Sequence, residues 1–264
     1  MEQVQRGREY DEALEKYRAL LLALPEAGHE RDYLLYHVKP NIEALYLSLV
    51  GGNKLELLKI QTEVYALKRK MELMQACLNT GREIIPEIIE TILEKEMEGQ
   101  NAKLREEAKK IEDAHNRLKG PGLDKDERIL IRDLYFKLAK LLHPDLHPEY
   151  TDQMLALWHQ VTEAYKYGDL KKMSVLEIIA GHLSFPMEIP TLTEELNRRT
   201  ASLSVHLADL ISEIEKMKNV FPFPLEKKLN DPEWVTKENN ATLDLISFAR
   251  DTKDEYEKRI ALLL

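Results

Sequence analysis

One cysteine, Cys77, stands in 264 residues. A single thiol excludes a disulfide framework or a cysteine-built zinc site within one chain, and it suits a reducing compartment. Glycine and proline are scarce as well, at 10 and 11, and long stretches hold neither, so little of the chain is punctuated for turns. No run approaches the roughly 18 apolar residues of a membrane span. The first residues, Met1 to Gly7, lack the apolar core of a signal peptide, so a cytoplasmic protein with no membrane partner is expected. Basic charge is also short: 38 Lys and Arg against 47 Asp and Glu leave a net charge of −9. That balance argues against nucleic-acid binding, because phosphate contacts need a concentrated basic face. There is no glycine-rich phosphate loop, and no nucleotide or other cofactor is expected.

What remains is material for helices. With 44% hydrophobic and 32% charged residues, the chain has ample apolar side chains for a core and a composition that leans to helix and coiled coil. The expected fold class is all-α. Residues 8 to 50 read as two helices broken near Leu24 to Gly28, with Gly51 and Gly52 closing the section. Leu57, Ile60, Val64, Leu67, Met71, Met74 and Leu78 then recur at steps of three and four, the spacing of a coiled-coil seam. Thr80 and Glu83 form a capping-box pattern that starts a return helix over about 82 to 119, with Pro86 in its first turns. That helix opens on an isoleucine-rich patch from Ile84 to Ile92 and thins to Leu104, Ala108, Ile111 and Leu118. Lys119 to Gly122 reads as a linker.

Beyond Pro186, Leu196, Leu203, Leu207, Leu210, Ile214 and Met217 repeat the three-four rhythm. Phe221 to Pro224 and Asp231-Pro232 bracket a tip, and Ile246, Ala249, Tyr256, Ile260 and Leu263 lie on a returning helix whose seam is interrupted by Lys253. The expected organisation is a helical region with a coiled-coil hairpin at 1–119, a central unit at 120–185, and an antiparallel coiled-coil hairpin at 186–264. The seams suit pairing within the chain or between two copies as a homodimer.

The central unit carries the most specific pattern. Leu130, Leu134, Leu138 and Leu141 recur at helical steps. Pro144 disfavours helical geometry at His143 and stops the helix, which is expected to leave His143 and Asp145 on a tight, polar, exposed turn. A second amphipathic run follows with Met154, Leu157, Trp158, Val161, Ala164 and Tyr165, so the unit is a helical hairpin with His143-Pro144-Asp145 at its tip. On the first helix, Arg128, Arg132, Phe136 and Lys140 are four apart, opposite Leu134 and Leu138. Three cations and an aromatic beside the turn suit a polar docking surface for an acidic partner.

Helix, tripeptide and second helix together resemble the J domain of DnaJ-type co-chaperones over about residues 123 to 182. Tyr135 to Asp145 is similar to that family's second helix and signature tripeptide. Trp158 to Tyr165 is similar to its third helix. The resemblance implies docking on the ATPase domain of a DnaK-type heat-shock chaperone, with Asp145 competing for an internal ion pair of that partner and His143 and Pro144 shaping the turn. The implied outcome is faster ATP hydrolysis by the partner, so the chain itself is not expected to be an enzyme. Phe136 stands where the family commonly has arginine or lysine, and Leu146 where a lysine usually follows the tripeptide. There is no separate short first helix, no glycine-phenylalanine linker and no four-repeat cysteine module, which leaves the choice of an unknown protein client to the coiled-coil regions.

Other readings of the same residues compete. The tripeptide is also what an ordinary proline-stopped helix leaves behind, with Asp145 or Asp152 capping the next helix; the chain is then a coiled-coil scaffold with a J-like spacer. His143, His147 and His159 lack the spacing of a metal site, since two prolines separate the first pair. His143 and Asp145 on an exposed turn lack the pocket that acid–base catalysis needs.

Overall fold

Runs without glycine or proline keep their i→i−4 hydrogen bonds unbroken, and the chain folds as helix joined by short turns, with no strand among the described residues. The computed structural model describes residues 2–119, 124–147, 151–182 and 189–263, with the side chains of residues 2–6 and of Asp145 outside that description. The expected linker glycines and Pro186 lie outside the described residues. Helices α1 (Glu2–Tyr33), α2 (Lys39–Tyr46) and α3 (Gly52–Asn79) are joined end to end by π turns at Leu34–Val38 and Leu47–Gly51. They are followed by α4 (Pro86–Lys119), α5 (Lys125–Leu142), α6 (Asp152–Lys166), α7 (Leu170–His182), α8 (Thr193–Lys218), the single turn α9 (Glu226–Leu229) and α10 (Pro232–Ala261). No described helix is long and apolar enough to cross a membrane. The chain forms two compact units, one of Met1–Pro40 with Pro121–Phe223, the other of Asn41–Gly120 with Pro224–Leu264.

The expected break near Leu24 to Gly28 is absent. Pro25 lies inside α1, and burial of Tyr17 and Leu24 against Leu196 and Leu203 of α8 carries the helix across the missing N–H. Gly51 does not close a section either. It has helical angles, φ −62° and ψ −34°, and a Cβ on it would lie 3.3 Å from Ile111 Cγ1, so its role is to admit α4 at close range.

In the second unit α3 packs against both α4 and α10. Its expected seam is divided between them: Leu57, Ile60 and Val64 meet Ile246 and Ala249, while Leu67, Met71 and Met74 meet Ile89, Leu93 and Ile260. Lys253, which interrupts the α10 seam, reaches Glu63 at 2.8 Å, and Lys54 reaches Glu238 at 2.9 Å. Thr80 caps the wrong end for the expected box. Its hydroxyl donates to Ala76 and Cys77 carbonyls at 2.8 and 3.1 Å, Gly81 turns the chain at φ +67°, and α4 begins only at Pro86, whose missing N–H is no loss there.

In the first unit α8 packs along α1. The expected hairpin of residues 186–264 is therefore not formed: α8 and α10 each bury their stripe against an earlier helix, α1 and α3, and the pairing crosses the expected boundaries at 119 and 185. The remaining helices, α5, α6 and α7, share one core of Ile131, Leu134, Tyr135, Leu138, Leu142, Met154, Trp158, Val161, Tyr165, Met173 and Leu176. Leu130, at 51% exposure, lies outside it, so the buried stripe runs through Ile131, one position on from the expected one. The capping box at the start of α5 is Asp124 with Glu127, with bonds of 2.8 and 3.0 Å. Thr151, and not Asp152, caps α6 by accepting from the Met154 N–H.

Candidate partner-docking site

The site is built where α5 stops. His143 has extended backbone, φ −71° and ψ 129°, while its N–H still donates to the Ala139 carbonyl at 2.9 Å. Pro144–Leu146 form one 3-10 turn, closed by the Leu146 N–H on the His143 carbonyl at 3.0 Å and the His147 N–H on that of Pro144 at 3.3 Å. Backbone hydrogen bonds therefore close the turn where α5 stops. His147 Nε2 lies 3.1 Å from the Lys140 carbonyl, tying the turn back to α5.

The expected exposure of His143 is corrected by α1. The His143 side chain is buried, at 9% exposure, with its ring edge-on to Trp158 at 5.0 Å. On its other side α1 passes at Gly28, where even a Cβ would stand 4.0 Å from His143 Nε2. Leu146, at 2% exposure, sits among Ala13, Tyr17 and Leu24 of α1 and Leu196 and Leu203 of α8. Phe136 is half-buried, 4.9 Å from the His29 ring, with the Arg132 guanidinium 5.9 Å from its centroid. Arg128, Arg132 and Lys140 are exposed, so the cationic part of the expected surface is on the outside and the aromatic part is not. Pro144 is partly exposed.

A polar cluster fastens α1 to this hairpin. Asp32, at 1% exposure, accepts from the Tyr135 hydroxyl at 2.8 Å and from Arg31 at 2.7 Å. The Tyr165 hydroxyl meets His29 Nε2 at 2.9 Å, and His37 Nε2 meets the Tyr165 carbonyl at 3.1 Å. Burial first, then the Asp32 carboxylate, pushes the Tyr135 hydroxyl well up and does the same for Tyr165, so both stay protonated, Tyr135 donating to Asp32. From the sequence Gly28 reads only as the end of a helix break, and none of His29, Asp32 or His37 stands out. The signal available is the polar run His29 to Asp32 interrupting an apolar rhythm.

Burial, with Arg132 nearby, lowers His29 to about 4. Its folded value lies below the ordinary histidine value, so between pH 6.5 and 4 the unfolded chain binds more protons and stability rises with pH. Full stability is present above pH 6.5 and is lost as pH falls towards 4. Discounted for partial exposure, His29 accounts for a loss on the order of 1 kcal/mol by pH 4.5. His147 is lowered in the same direction by burial. The expected result is that His29→Gln flattens, without abolishing, the slope of urea-unfolding free energy between pH 4.5 and 7.

Compared with family models, with curated proteins and with solved structures, the chain matches none.

Proposed function

We propose that the chain is a J-type co-chaperone that docks on a DnaK-type ATPase through the turn at His143 to Leu146 and speeds that partner's ATP hydrolysis, its other helices serving as adaptors for a protein client. The reading is supported by one arrangement: α5 ends in a backbone-locked His143-Pro144-Asp145 turn, α6 packs back on α5, and Arg128, Arg132 and Lys140 stay exposed on the α5 face. Exposed cations on a rigid helix steer an acidic partner and set its register more than they add affinity. The competing reading, a scaffold with a J-like spacer, is favoured by the burial of His143 and Leu146. Against it, the seam on α3 is occupied by α4 and α10 of the same chain.

The test is single-turnover ATP hydrolysis by a DnaK-type chaperone with the full chain and with the double variant Arg128→Glu, Lys140→Glu. Wild type is expected to stimulate, and the variant to need about tenfold more protein for half the effect, with a smaller dependence on salt. Equal stimulation by both would remove the cationic face from the docking site. No stimulation by either, with both folded, would leave the scaffold reading.

A further inference from the structure

The two positions that depart from the resembled pattern, Phe136 and Leu146, both lie against this chain's own helices, as Tyr135 and His143 also do. Leu146 fills an apolar cluster between α1 and α8, and Phe136 lies under His29 of α1. A lysine at 146 would bring its ammonium into contact with Tyr17, Leu24 and Leu196, where desolvation disfavours charge. An apolar residue there has a use only if α1 and α8 rest on the turn. The crossing is also close: at Gly28, α1 runs within van der Waals reach of His143 Nε2 and the Tyr135 hydroxyl, where a Cβ would stand at 4.0 and 3.9 Å, and Asp32, one helical turn further, takes the Tyr135 hydroxyl bond. Lys218 of α8 reaches Glu30 of α1 at 2.6 Å, so α8 backs the helix that lies on the turn.

We infer that α1, backed by α8, is an intramolecular cover on the docking face, closed over His143 and Leu146 while Arg128, Arg132 and Lys140 stay outside it. The inference rests on the docking proposal above. Its consequence is two-step docking: the exposed cations meet the partner first, and the turn becomes available when α1 is drawn off. Because only the open form binds fully, a closed state favoured tenfold weakens apparent affinity about tenfold.

The experiment uses the full chain and two latch variants that leave the cationic line untouched. Leu196→Ala removes part of the Leu146 pocket from the α8 side, and Tyr135→Phe removes the hydroxyl bond to Asp32 while keeping the ring. Hydrogen–deuterium exchange of segments 20–33 and 139–147 reads the cover, and single-turnover hydrolysis by a DnaK-type chaperone reads docking. Faster exchange in both latch variants is expected, with half-maximal stimulation at about tenfold lower concentration. Unchanged exchange in both would show that these contacts do not hold α1 down and would overturn the cover. Faster exchange with stimulation equal to wild type would overturn it too, leaving the docking proposal intact. If neither wild type nor the opened variants stimulate, the docking proposal fails and the cover fails with it.

Discussion

Replacing Asp32 with alanine is expected to lower the stability of the first unit by about 3 kcal/mol. The carboxylate is almost wholly enclosed and holds two partners of unequal freedom. Arg31 is partly exposed and can turn to water, so its loss is cheap. The Tyr135 hydroxyl is fully buried; taking away its carboxylate acceptor costs about 1–3 kcal/mol. The cavity left by the side chain and the weakened hold of α1 supply the rest. Tyr135→Phe alone is expected to cost about 1 kcal/mol, because Asp32 keeps Arg31. The double variant should then be more stable than Asp32→Ala by about 1 kcal/mol, since the orphaned hydroxyl is gone. Urea unfolding of the four proteins closes the cycle. Strict additivity would mean that the 2.8 Å bond contributes nothing and that α1 is held by its apolar contacts alone.

The same cluster shows where sequence and structure part. Helix content, the seam on α3, the Asp124 cap and the buried faces of α5 and α6 all follow from spacing within one element, and they are present in the fold. Partner choice does not follow from such spacing. The stripe on α8 carries no mark that distinguishes α1 from α10, and the outcome turns on contacts between residues as far as 194 apart, such as Arg250 with Glu56. Pro25 and Gly51 mislead for a related reason. Each is a local breaker, and each is overridden by burial that only the folded chain supplies: Leu24 beside Pro25 fills the α1–α8 cluster, and Gly51 admits Ile111.

For the candidate site, the turn was legible and its surroundings were not. Pro144 after an amphipathic helix marks a stop at His143, and α5 does end there. Exposure, however, is a property of what packs on the turn, and the covering residues lie more than a hundred positions earlier, at Gly28 and Leu24. Phe136 and Leu146 were visible as departures from a resembled pattern. They read as missing charge in the sequence and as apolar contacts in the fold, and the second reading accounts for a large apolar residue at both positions.

His143→Gln is expected to abolish stimulation of a DnaK-type ATPase, a loss of at least about tenfold in the single-turnover rate enhancement. The backbone bonds that end α5 and close the turn, to Ala139 and from Leu146, do not involve the side chain, so the turn keeps them, while the change removes, among the ring's interactions, an edge-on contact with Trp158. Trp158→Phe provides the matched comparison, because it thins the same contact from the other side and leaves His143 in place. If His143→Gln is silent and Trp158→Phe still stimulates at equal stability, the imidazole itself engages the partner. If both lose stimulation in proportion to lost stability, the ring acts by holding the turn. If neither changes it, the turn is a folded spacer and the paired helices α1–α8 and α3–α10 are what the chain offers to its partners.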